Sequence, residues 1–148
     1  MFGEVAVFTG STWTATVIAE KDAQILFIPP EGFLEIDGKQ CPGKQKVSLN
    51  LLHIVSMKAK HLNEKVEILS LKGIRKKICR YLLMQHSKTG KTEFDVSLKR
   101  GEMAEFLKVS RPSLSRELIQ LKNEGLIDFD GNHFRLEDME ALSEELKI

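Results

Sequence analysis

The stretch EMAEFLKVSRPSLSRELIQLKNEGLI, Glu102 to Ile127, sets two apolar helical patterns on either side of a three-residue break and puts a proline and two arginines where the second begins. Met103, Ala104, Phe106 and Leu107 give the first helix a side to bury, and small Ala104 permits a close helix crossing. Val109 plugs the corner. Ser110 is suited to an N-cap, and Pro112 in the first turn interrupts no intrahelical hydrogen bond, because the N–H groups there have no helical partners. Gly125 stands where left-handed backbone ends the helix. The spacing predicts a short helix over 102–107 and a second over about 111–124.

At about 100° per residue the second helix separates a core side from a solvent side. Leu114, Leu118 and Leu121 cluster on one side. Pro112, Arg116 and Gln120 lie opposite, with Ser113 beside them and Arg111 at the exposed N-terminal corner. An arginine one turn into a helix and facing away from the core is placed for bidentate contact with guanine O6 and N7. Arg116 is therefore the first candidate for base readout. Arg111 and Ser113 suit either a base or a phosphate, while Ser115, Lys108 and the helix N-terminus suit backbone positioning. Lys99 and Arg100, with the cations of the preceding helix, fit a phosphate track. An ordinary pair of packed helices would share the apolar pattern but would not require the exposed arginines.

Downstream, "LIDF", a turn at "DGN" and "HFRL" predict a β hairpin, and acidic "EDMEALSEELKI" a short closing helix. Upstream, "TEFDVSL" alternates Phe94, Val96 and Leu98 against polar neighbours, the period of a half-buried strand. Before it, a helix from Leu71 or Gly73 to about Gln85 carries Ile74, Ile78, Tyr81, Leu82 and Met84 on or near one face and Lys72, Arg75, Lys76, Lys77 and Arg80 elsewhere, and "SKTGK" ends it. Residues 72–148 thus read helix, strand, helix, helix, strand, strand: a winged helix-turn-helix.

A long helix free of Gly and Pro is expected from about Lys46 to Ser70. Leu52, Val55, Ala59, Leu62, Val66 and Leu69 follow at steps of 3, 4, 3, 4 and 3, the seam of a coiled coil and an expected dimer contact. The β-branched and aromatic runs "EVAVF", "TWTATVIA" and "AQILFIP" predict short strands between Val5 and Ile28. Glu31 to Ile36 suits one helical turn, and "DGKQCPGK" turn chemistry. The fold class is α+β, with a β segment over 1–45, a dimerisation helix over 46–71 and a winged helix-turn-helix over 72–148.

Charge is uneven. Residues 72–122 hold 13 Lys/Arg against 5 Asp/Glu, whereas 123–148 hold 2 against 8 and 1–71 hold 7 against 8, so a net charge of +1 conceals a middle segment at +8. That is the footprint of a surface facing a polyanion. Neither an apolar run of about 20 residues nor a basic-then-apolar leader occurs, and a cytoplasmic chain is expected. Cys41 and Cys79 lack paired-ligand spacing and read as free thiols. The scattered histidines read as surface residues. With no nucleophile–base pairing, phosphate-cradling glycine loop or metal-ligand spacing, the reading contains no catalytic residue and no metal site, and an enzyme is not expected.

Over its whole length, Glu102 to Ile127 resembles the helix-turn-helix of the cyclic AMP receptor protein and Fnr (Crp/Fnr) family of bacterial transcription regulators, with Ser110-Arg111, Ser115-Arg116 and Gly125-Leu126-Ile127 in the family's places. Lys46 to Ser70 is similar to its dimer helix. "FGEVAVF…TATVIA" resembles the last part of its cyclic-nucleotide-binding β roll, so the chain reads as beginning in mid-roll. The resemblance implies double-stranded DNA and a second copy of the chain as partners, RNA polymerase as a further candidate, and no membrane.

Three departures stand out. Gly3 and Glu4 match the pair that meets the ribose in nucleotide-binding members and are cofactor candidates; a sensor reading adds Trp13, Cys41 and His53 or His61. Trp13-Thr14 replaces the arginine and following small residue that meet the phosphate, which removes a charge-assisted partner and argues against cyclic AMP. Lys108 replaces a glycine common at the left-handed turn, and Pro112 a glutamate that reads cytosine, implying a different operator. No N-terminal cysteine cluster suggests an iron–sulfur sensor. The resulting expectation is a homodimeric, sequence-specific regulator on a palindromic operator. The alternatives are an effector (nucleotide, haem or redox) sensor fragment, or a protein-interaction winged helix without specific DNA binding.

Overall fold

The computed structural model describes residues 1–29 and 42–147. It divides into two compact units, Met1–Met57 and Lys58–Ile148, whose boundary falls inside one long helix.

In the first unit, α1 (Glu4–Thr9) lies between Gly3 at φ 93° and Gly10 at φ 65°. Residues 11–29 hold no regular element. The three expected strands are therefore absent, and "EVAVF" is helical. The reason is that a strand's backbone groups need a ladder partner, and an isolated hairpin is marginal in water. Without partner strands the apolar runs stay exposed, Leu26 at 83% and Phe27 at 85%. Local packing is aromatic: Phe2 and Trp13 meet edge to face at 6.2 Å between centroids. The turn expected at Glu31–Ile36 and Cys41 lie outside the described residues.

Helix α2 (Pro42–Ser70) begins four residues earlier than the sequence suggests. Pro42 and Gly43, read as turn residues, open it, and proline in first position loses no hydrogen bond. Only Ile68 of α2 is buried.

The second unit continues through α3 (Ile74–Thr89), β1 (Glu93–Asp95), α4 (Arg100–Leu107), α5 (Arg111–Asn123), β2 (Ile127–Asp130), β3 (His133–Leu136) and α6 (Met139–Glu144). The expected order of elements holds throughout. α3 runs one turn beyond Gln85, because its stop is Gly90 at φ 68°, whose N–H donates to the His86 carbonyl at 2.8 Å. Ser87 and Thr89 stay helical with hydroxyls bonded back to the Leu83 and Gln85 carbonyls.

The sheet is antiparallel in the order β1-β3-β2, with Phe94 and Phe129 both opposite Phe134. Ile78 and Leu82 of α3, Met103 and Leu107 of α4, Leu114, Leu118 and Leu121 of α5, Phe134 and Leu142 close a core from which water is excluded. Each such side chain contributes about 1.5–3 kcal/mol by burial. Cys79 belongs to this core, and burial pushes its thiol up to about 12. Because α3 packs on both helices of the helix-turn-helix and on β1 and α6, it is the platform on which α5 is mounted.

Candidate nucleic-acid interface

The turn between α4 and α5 is built by one strained residue and one cap. Lys108 sits at φ 54°, ψ 51°, the only non-glycine with positive φ among the described residues. A side chain there costs about 1 kcal/mol. The conformation lets the N–H groups of Lys108 and Val109 reach the Ala104 carbonyl and so closes α4. Val109 then packs against the core.

Ser110 caps α5 as its chemistry suggests, its Oγ accepting from the Ser113 N–H at 3.2 Å. The same hydroxyl donates to Ser113 Oγ at 2.8 Å, and Arg116 Nη2 reaches Ser113 Oγ at 3.4 Å. Cap, serine and arginine thus form a chain along one flank of the helix. On the opposite flank Leu114, Leu118 and Leu121 are fully buried. Gly125, at φ 76°, follows the end of α5 and lets the Leu126 N–H reach the Leu121 carbonyl.

Arg111, Pro112, Arg116 and Gln120 are exposed on α5, and Ser113 and Ser115 are half-buried. Lys99 and Lys108 are exposed beside them. Arg100 departs from its expected place on a phosphate track, since its guanidinium turns inward against the hairpin. Gln120 faces outward but is tethered, with Nε2 donating to Glu124 Oε1 at 2.9 Å.

The cations of α3, expected to extend the track, are largely engaged within the protein. Arg75 binds Glu117, Glu124 and Glu145 at 2.7–2.9 Å. These carboxylates, Glu124 foremost, raise its pKa above the ordinary arginine value. Arg80 pairs with Glu67 and Lys88 with Glu64, and each cation holds its carboxyl below the usual range. Lys77 Nζ donates to the Leu107 carbonyl at 3.2 Å and Lys76 Nζ to that of Lys147 at 3.0 Å. The basic face therefore narrows to α5, Lys108 in the turn before it and Lys99 ahead of α4.

Two groupings escape a sequence reading. The Arg75 partners lie 42, 49 and 70 residues away, beyond any local pattern. On the outer face of the sheet, His133 is bracketed by Glu93 at Nε2 and Asp95 at Nδ1, both at 2.9 Å. Glu93 first and Asp95 second raise its pKa. Strand alternation offered one signal, since it puts residues 93, 95 and 133 on the polar face.

The seam residues of α2 are accessible in the single chain: Leu52 and Leu62 are 63% exposed, and Val55, Ala59 and Val66 are exposed as well, with Leu69 half-buried. Gly3 and Glu4 border a cavity of about 560 Å³ in the first unit, whose lining is apolar apart from Glu4 and Gln24. Among the described residues no group of three His, Cys, Asp or Glu side chains is arranged to hold a metal, and no helix is long and apolar enough to cross a membrane.

Comparison with known proteins agrees with this geometry. Residues 76–145 match the family model of the Crp-like helix-turn-helix domain. Among solved structures, the chain is similar to FixK2 from Bradyrhizobium japonicum, with a TM-score of 0.59, 19% identity, 67% of this chain and 51% of that one. A CooA variant from Carboxydothermus hydrogenoformans gives 0.62, 22%, 70% and 50%. A transcriptional regulator of the CRP family from Thermus thermophilus, TTHB099, gives 0.56, 24%, 76% and 58%. These likenesses establish a shared fold, and the chain spans about half the length of the solved structures it matches. No curated protein matches the chain.

Proposed function

From a chain that carries a Crp-like helix-turn-helix domain over residues 76–145, we propose a cytoplasmic, sequence-specific transcription regulator that acts as a homodimer on a palindromic DNA site. The observation that carries this reading is the flank of α5 opposite its buried leucines, where Arg116 is exposed and steadied by the Ser110–Ser113 pair. α5 enters the major groove, Arg116 reads a guanine edge, and Arg111, Pro112, Ser113 and Gln120 face the neighbouring bases. Lys99, Lys108, Ser115 and the α5 N-terminus hold phosphates. The exposed seam of α2 pairs with its copy, which sets two half-sites about 34–36 Å apart. RNA polymerase is a candidate partner of the bound dimer.

The test is selection of bound sequences from a random duplex pool, with salt titration of the winner against an unrelated duplex. An inverted repeat is expected, together with a steep loss of affinity with salt. Arg116→Ala should flatten one position in each half-site. If the pool yields no preferred sequence, the reading fails.

A further inference from the structure

The hairpin β2–β3 is the wing of this domain, and its tip carries no lysine or arginine: the sequence there is Asp130-Gly131-Asn132-His133. A wing with long basic side chains adapts to a phosphate by moving them. This one offers backbone N–H groups and short side chains, and its one imidazole, His133, is already bracketed by Glu93 and Asp95, so its use depends on where the backbone itself is held. Both tip carbonyls are tied. That of Asn132 accepts from the Val96 N–H at 2.9 Å, and that of Gly131 from Arg100 Nη2 at 2.7 Å.

Arg100 opens α4, the first helix of the helix-turn-helix. Its guanidinium lies over two wing rings, 4.9 Å from the Phe129 centroid and 4.7 Å from that of Phe134. Nη1 is sealed from solvent. A group held by two aromatic contacts and a hydrogen bond, with one nitrogen cut off from water, does not reach a phosphate without abandoning all three. Burial accordingly lowers its pKa from the ordinary arginine value.

We propose that Arg100 is a positioning residue, which fixes the wing tip against the helix-turn-helix so that backbone groups at Gly131 and Asn132 meet the DNA flank, and which does not itself hold a phosphate. The DNA half of this statement rests on the function proposed above. The wing-fixing half does not.

Lysine discriminates the two roles, because it keeps the charge but has neither the planar fork nor the stacking face of arginine. In the full chain, Arg100→Lys should speed amide exchange at the wing tip about tenfold, the effect of losing one hydrogen bond to a charged group. On the selected duplex it should also remove protection of the flank from hydroxyl radicals, while base preferences under α5 persist. Phe129→Leu, which keeps the arginine and removes one ring, should move exchange and protection the same way and guards against a variant that fails to fold. Arg100→Lys with wild-type exchange overturns the proposal. So does a pattern in which Lys preserves affinity while Arg100→Met lowers the salt slope by about one, because that is a phosphate contact. Faster exchange in a protein whose wild type selects no duplex supports the wing-fixing half and overturns the DNA half.

Discussion

Arg75 and Glu124, 49 residues apart, meet through two parallel hydrogen bonds of 2.7 Å each. The pair ties the end of α5 to α3, and the same guanidinium reaches Glu117 and Glu145. Arg75 thereby holds α5 against its platform at two points along its length.

Arg75→Met should destabilise the domain by about 2 kcal/mol, between the worth of an exposed pair and the cost of breaking a buried one. It would leave three carboxylates facing one another. Glu124 is held below the ordinary carboxylate pKa by Arg75 first and Gln120 second. A depressed carboxylate stabilises above its unfolded pKa, and that contribution disappears as pH falls through the folded value. The variant should therefore lose less of its remaining stability between about pH 6 and 3 than the wild type loses. Parallel denaturant titrations across that range decide it.

Lys108→Gly should raise stability by about 0.5–1 kcal/mol, since glycine adopts φ 54° without strain while adding unfolded-state entropy. If Lys108 also faces phosphate, the same change weakens DNA binding and lowers the salt slope by about one. A higher melting temperature with weaker binding is the expected pair of results. Unchanged binding would remove Lys108 from the interface.

His133 should make the wing pH-sensitive. Glu93 and Asp95 of β1 bracket it, Asp130 of β2 stands across from it, and Arg135 lies two residues on. Its raised pKa means the imidazolium contributes fully below the unfolded value of 6.5 and loses that contribution as pH rises through the folded value. Exchange at the wing tip should quicken as pH rises from about 6 to 8 beyond the intrinsic rate increase. His133→Gln should remove that excess, and a persisting excess would place the titration elsewhere.

Leu62→Glu should make the chain monomeric. Leu62 is 63% exposed on the seam of α2 and away from the core of the second unit, so the fold should survive the change. Sedimentation of variant and wild type over a concentration range tests this directly. An unchanged oligomeric state would exclude the seam.

What the sequence discloses here is what it encodes locally. Ser110, Pro112 and Gly125 act through their own backbone, and Leu114, Leu118 and Leu121 through helical period, so α5 is legible to within a residue or two. Helix α2 is legible for the same reason. The N-terminal strands are not, because β-branched and aromatic runs become strands only when a partner completes their hydrogen bonds. The roles of Arg75, Arg100 and His133 are hidden from local pattern, since they depend on partners 29 to 70 residues distant. Charge counting registers the 13 cations of the middle segment but not that the carboxylates of α2, α5 and the C-terminal end meet several of them.

That pairing has a kinetic side. A DNA-binding domain that left every cation of α3 bare would cling to any duplex, because nonspecific affinity rises steeply with each phosphate neutralised. With Arg75, Arg80 and Lys88 matched by their own carboxylates, the proposed regulator would have a looser grip on arbitrary sequence while its proposed α5 contacts remained. Such a protein would dwell only briefly at wrong sites, and its search of a chromosome would favour hopping over prolonged sliding.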